Sequence, residues 1–148
     1  MFGPEQGHFA LALACVLALV QFVLPLWGAA RRNGRMVALA PYLAVSQLIA
    51  LAMSFACLVL SAVRDDFSVQ NVAANSSIAK PLLYKITGVW GNHEGSVLLW
   101  TLILGLCGAA VSVFGRNLPD ILRARVLAIL GWVSAGFQLF CLLTSDPF

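Results

Sequence analysis

The sequence predicts an all-α polytopic membrane protein with about four transmembrane helices and an outer interfacial segment between the second and third. Three observations predict it. Of 148 residues, 61% are hydrophobic and only 10% are charged, whereas a soluble domain carries about a quarter charged residues to face water. Mean hydropathy is +0.91. The apolar residues are gathered into four runs, near 9–28, 36–63, 97–114 and 126–143, and none of these contains Asp, Glu, Lys, Arg or His.

Each run matches the length a bilayer demands, since a hydrocarbon core of about 30 Å needs about 20 helical residues. The first run, 9–28, is preceded by no Lys or Arg and followed by Arg31 and Arg32. A cleaved signal peptide has the opposite flanks, so a retained span is expected. Ala10, Ala14 and Ala18 mark one close-packing face on it. Pro25 is expected to kink or end this helix, and Pro41 to sit in the first turn of the next.

The second run, 36–63, and the fourth, 126–143, carry Gln47 and Gln138, as the first carries Gln21. Each glutamine is expected to hydrogen-bond across the bundle at membrane depth. Gly108 and Ser112 in the third run, and Gly131 and Ala135 in the fourth, repeat the small-residue spacing. Cys15, Cys57, Cys107 and Cys141 lie inside spans without a CxxC pair, which reads as small buried residues rather than a metal or redox site. No metal site is expected.

The connections sort by charge. Arg31, Arg32, Arg35, Arg116, Arg123 and Arg125 lie on one side with Asp120 as the one acid. Arg64, Lys80 and Lys85 lie on the other with Glu5, Asp65, Asp66, Glu94 and Asp146. The positive-inside rule then puts the arginine loops in the cytoplasm and both termini outside.

One connection, 64–96, is long enough to carry function. Its first part, 64–77, reads as polar and irregular. Residues 81–86 read as an interfacial stretch, with Leu82, Leu83 and Ile86 toward lipid and Lys85 reaching out. Gly88, Gly91 and Gly95 are expected to break regular structure around Trp90, Asn92, His93 and Glu94. Glu94 and Ser96 suit the N-terminal turn of the third span. By composition alone this cluster fits an interfacial anchor plus helix cap, because Trp and Tyr favour membrane interfaces. The pair His93-Glu94 lacks the second histidine of a zinc protease. There is no Ser/His/Asp arrangement, phosphate loop or basic stripe, so no nucleic-acid partner is expected.

Residues 81–100, PLLYKITGVWGNHEGSVLLW, closely resemble a signature stretch of the CcmF family, the cytochrome c-type biogenesis haem lyases. Glu5, Gly7, His8 and Phe9 are similar to the family's start, and residues 142–148, LLTSDPF, to a later stretch in which the family more often has Asn at the position of Asp146. The resemblance implies a membrane component of cytochrome c maturation in a bacterial or mitochondrial inner membrane. It implies haem as the group handled, and a haem chaperone, apocytochrome c and other maturation proteins as partners beside the lipid bilayer, with the remainder of the haem lyase as a further partner if the protein is split. The family's Trp-rich haem segment and haem-ligating histidines lie beyond the stretch matched, so no complete active site is assigned to these residues.

On that resemblance, Trp90, Gly91, Asn92, His93, Glu94, Gly95 and Ser96 form an outward platform for haem or apocytochrome. Trp90, Tyr84 and Trp100 suit an aromatic border and Lys80 and Lys85 suit propionates. His93 reads as shaping the platform rather than as an axial ligand. Two other classes stay open. A transporter keeps ionisable residues at membrane depth, and the four runs hold none. A purely structural subunit is separable by whether the purified chain gives a saturable Soret shift with haem.

Overall fold

The computed structural model of the chain describes residues 4–75, 77–91 and 93–144, leaving aside the side chains of Pro4, Gln70, Asn71, Asn75, Trp90, His93 and Glu94. Helix α1 spans Pro4–Ala30, α2 Gly34–Ala38, α3 Ala40–Val63, α4 Gln70–Asn75, α5 Leu82–Gly91, α6 His93–Phe114 and α7 Asp120–Leu143. A short 3-10 turn, Gly115–Asn117, joins α6 to α7. No strand occurs among the described residues.

Four helical stretches are long and apolar enough to cross a membrane, with mean hydropathies of 2.5, 2.3, 2.3 and 2.1. They correspond to α1, α2 with α3, α6 with the 3-10 turn, and α7. The helices overrun the apolar runs because backbone hydrogen bonding favours helix through the polar boundary as well as in lipid. Helix α1 packs against α3 and α7, and α6 packs against the same two, so α1 and α6 occupy opposite corners of the bundle.

The interior combines many small and polar residues with a few buried leucines, among them Leu11, Leu51 and Leu127. Ala10, Ala14 and Ala18 of α1, Ala44 of α3, and Ala128 and Ala135 of α7 are buried. Outside stand Leu13, Val16, Trp27, Ile103, Ile129 and Trp132. In lipid, apolar bulk gains little from being buried, whereas close backbone approach gains dispersion contacts. A Cβ added to Gly131 of α7 would lie 2.9 Å from the Ala18 carbonyl oxygen of α1, which shows how close those two helices run.

Buried amides join the helices. Gln21 Nε2 donates to the Leu127 carbonyl of α7 at 2.6 Å. Gln47 Nε2 donates to Ser134 Oγ of α7 at 2.5 Å. Gln138 departs from expectation, because its Nε2 donates within α7 to the same Ser134 Oγ at 2.7 Å. It is linked to Gln47 of α3 through that hydroxyl.

The two ends of the connections use one device. After α1, Arg32 takes φ 54°, and the Asn33 N–H bonds the Gly28 carbonyl at 2.8 Å. After α3, Asp65 takes φ 55°, and the Asp66 N–H bonds the Ser61 carbonyl at 2.9 Å. Both are left-handed helix stops that satisfy terminal carbonyls. Pro25 does not end α1, which continues to Ala30. Pro41 sits in the first turn of α3, where its missing N–H costs nothing.

The long connection departs from the sequence reading. Residues 64–77 are not wholly irregular: Val69 and Val72, before and within α4, are buried in one core cluster with Leu58, Ala62, Val89, Val97 and Leu98. Nor do the glycines break structure as expected. Helix α5 runs through Gly88 to Gly91, and α6 runs through Gly95. Glycine in a helix costs up to about 1 kcal/mol, and burial of Val89 beneath α5 opposes that cost.

Candidate functional site: the helical corner opposite the arginines

The end of the bundle away from the six arginines is capped by α4 and α5, with α5 packed on α3 and α6. Its anchor is an ion pair. Lys85 Nζ of α5 donates to Asp65 Oδ2 at 2.6 Å, with the two side chains only 10% and 22% exposed. Asp65 is aimed there by its left-handed φ at the end of α3. Its other oxygen, Oδ1, is buried without a hydrogen-bond partner.

Lys85 therefore does not reach out to solvent as expected. Residues four apart share a helix face, so Lys85 and Val89 turn inward together while Leu82, Leu83 and Tyr84 are exposed. Beside the pair, Asp66 Oδ1 accepts from the Ser68 N–H at 3.2 Å and from Ser68 Oγ. That turn returns the chain toward buried Val69. Thr87 Oγ1 donates back to the Leu83 carbonyl at 3.0 Å.

Trp90 and Gly91 close α5, and His93, Glu94, Gly95 and Ser96 open α6, so the platform is a corner between two helices. Gly95 is buried and Ser96 half-buried. Asn92, and the side chains of Trp90, His93 and Glu94, lie outside the described residues. Among the described residues, no three His, Cys, Asp or Glu cluster as a metal site.

Trp100 lies seven residues into α6, roughly 10 Å below His93 by helical rise. It is 55% exposed. With Val97 and with Val133, Gly136, Phe137 and Phe140 of α7 it lines an apolar groove of about 410 Å³. Tyr84, Lys80 and Lys85 are not part of that lining. The structure thus joins Trp100 to α7 and Lys85 to α3, and Tyr84 stands on the exposed side of α5.

Sequence reasoning missed the Asp65–Lys85 pair, the buried valines of the cap and the α7 wall of the Trp100 groove. The pair joins residues 20 apart through a tertiary contact, for which no local pattern exists. Val69 and Val72 are three apart, a helical spacing that short polar surroundings obscure.

No protein-family model matches the chain. The cytochrome c-type biogenesis protein CycK of Bradyrhizobium diazoefficiens is 54% identical over 144 residues, covering 97% of this chain and 22% of that protein. The cytochrome c-type biogenesis protein CcmF of Pseudomonas aeruginosa is 54% identical over 145 residues, covering 98% and 22%. The Escherichia coli CcmF is 45% identical over 145 residues, again covering 98% and 22%. A solved structure described as cytochrome c haem lyase CcmF superposes with a TM-score of 0.93 at 28% identity, over 99% of this chain and 25% of that one. The chain spans between about a fifth and a quarter of the length of these relatives. Identity of this level along nearly the whole chain, on one shared helical architecture, makes the chain similar to the N-terminal portion of the CcmF and CycK cytochrome c-type biogenesis proteins.

Proposed function

We propose that this chain is a membrane part of a cytochrome c haem lyase, and that its α5–α6 corner helps present haem for covalent attachment to apocytochrome c on the periplasmic side. The observation that carries the reading is the 0.93 superposition on a haem lyase, taken with the corner's position at the arginine-poor end. The positive-inside rule supports placing that end, and both termini, outside the cytoplasm. Its partners are then a haem chaperone and apocytochrome c.

Haem, as the cargo, presents a flat apolar face and two anionic propionates. Exposed Trp100 and Tyr84 offer aromatic edges for the face. Exposed Lys80 and the N-terminal turn of α6 offer positive charge for a carboxylate. Lys85 enters differently from the sequence expectation: a propionate on its ammonium competes with Asp65. We assign Lys85 to holding α5 in place, and His93 to shaping the corner rather than ligating iron.

The test replaces Trp90, His93 and Glu94 singly with alanine in the native membrane protein, followed by haem staining of cytochrome c. Each variant is expected to reach normal membrane levels and to lower covalent holocytochrome c by roughly tenfold or more, on the scale of one lost positioning contact. Normal staining in all three removes the corner from the reaction. A scaffold role then stands, and the purified protein shows no saturable Soret shift with haem.

A further inference from the structure

The opposite end of the bundle holds a second concavity that haem handling does not use. A cleft of about 810 Å³ opens between the start of α2 and α3, the end of α6 and the first turn of α7. Three arginines line it, each from a different connection or helix: Arg32 from the stop after α1, Arg116 from the 3-10 turn and Arg123 from α7. The acid in the lining, Asp120, is 83% exposed and stands 4.0 Å from Arg123. The cleft therefore keeps an excess of positive charge.

Its other wall is apolar and exposed. Tyr42 is 72% exposed and Val113 49% exposed, and both line the cleft with Val45. The guanidinium groups sit just beyond the apolar runs, at headgroup level, while Val45 and Val113 lie within those runs. A soluble anion has no use for the apolar wall, and an acyl chain alone has none for three guanidiniums. A phospholipid carries both groups. Basic pockets between transmembrane helices are where anionic headgroups bind, and guanidinium matches phosphate oxygens in a two-pronged geometry. A zwitterionic lipid would bring a second cation toward the arginines, which favours a headgroup with net negative charge.

We propose that this cleft is a binding site for one anionic phospholipid, with its phosphate among Arg32, Arg116 and Arg123 and an acyl chain along Tyr42, Val45 and Val113. The bound lipid bridges the stop after α1, the 3-10 turn and the start of α7, and so fastens α3, α6 and α7 at this end.

The test uses the native protein purified in detergent and offered dioleoyl phosphatidylglycerol, dioleoyl phosphatidylcholine or inorganic phosphate, with retained lipid read by native mass spectrometry. The wild type is expected to retain one phosphatidylglycerol in preference to phosphatidylcholine, and millimolar phosphate is expected not to displace it. Exchanging Arg32, Arg116 and Arg123 together for glutamine is expected to weaken retention by roughly tenfold or more, since each arginine near an anionic headgroup contributes about fivefold. Exchanging Arg31, Arg35 and Arg125 for glutamine removes the same charge from the same end outside the cleft, and is expected to change retention less than about threefold by screening of distant charge. Should the triple cleft variant fail to fold, the Arg32→Gln, Arg116→Gln double variant leaves the packed Arg123 stem in place and answers the same question. Equal losses in the two triple variants, no headgroup preference in the wild type, or displacement by phosphate alone each overturn the proposal.

Discussion

Asp65 does two jobs that few residues combine. It adopts the left-handed conformation that stops α3, which Asp tolerates better than most side chains, and it receives Lys85 from α5 at 2.6 Å. Both groups are largely removed from water, so removing one partner leaves a charge poorly solvated. Asp65→Asn keeps the turn and Lys85→Met keeps the aliphatic stem. Each is expected to destabilise the α3–α5 contact by about 1–3 kcal/mol, and the double variant to cost less than the sum. Thermal unfolding of the four proteins in one detergent reads the coupling. Strict additivity would show that the ion pair is incidental.

At the scale of elements, the seam between α1 and α7 is held by close approach rather than by bulk. Ala14 and Ala18 are fully buried in α1. A Cβ at Gly131 would meet Gln21 side-chain carbons at 3.1 Å, besides the Ala18 carbonyl. A valine there must push the helices apart and strain the Gln21 bond to the Leu127 carbonyl. Gly131→Val is expected to cost about 1–3 kcal/mol by overpacking. Gly136, further along the same helix, has open space where a Cβ would go. Gly136→Ala is expected to be neutral or to stabilise by up to about 1 kcal/mol through helix propensity. Melting temperatures of the two variants should move in opposite directions or, at the least, differ clearly. The contrast separates a glycine required by packing from one that is not.

At the scale of the whole molecule, the bundle turns many Ala, Ser and Gln residues inward beside a few buried leucines, and leaves much of its Leu, Ile, Val and Trp exposed, as a lipid solvent allows. Its two ends differ in kind: one carries six of the seven arginines and the proposed lipid cleft, the other the ion-paired helical cap. The proposed function requires these ends to face opposite compartments. Ile78, the site for an Ile78→Cys variant, is 76% exposed on the cap side, and Asn117, the site for Asn117→Cys, is exposed on the arginine side. In intact cells with a permeabilised outer membrane, an impermeant maleimide is expected to label the first and spare the second until the inner membrane is broken. The reverse pattern would put the Trp90–His93 corner in the cytosol and end the periplasmic reading.

Sequence alone determined that the chain spans a membrane with four helices, because exclusion of charge from lipid acts on every residue of a span and is written in composition. It also carried the resemblance to CcmF, through the run around Trp90 to Ser96, and anticipated the membrane-depth roles of Gln21 and Gln47. Only the tertiary structure decided that Gly88 and Gly95 sit within helices, that Lys85 turns inward to Asp65, and that Gln138 reaches α3 through Ser134. Each of those outcomes depends on which partner lies opposite in space. A glycine's helix cost of about 1 kcal/mol is small enough for packing to override, and a lysine's direction follows the carboxylate that a separate helix brings within reach.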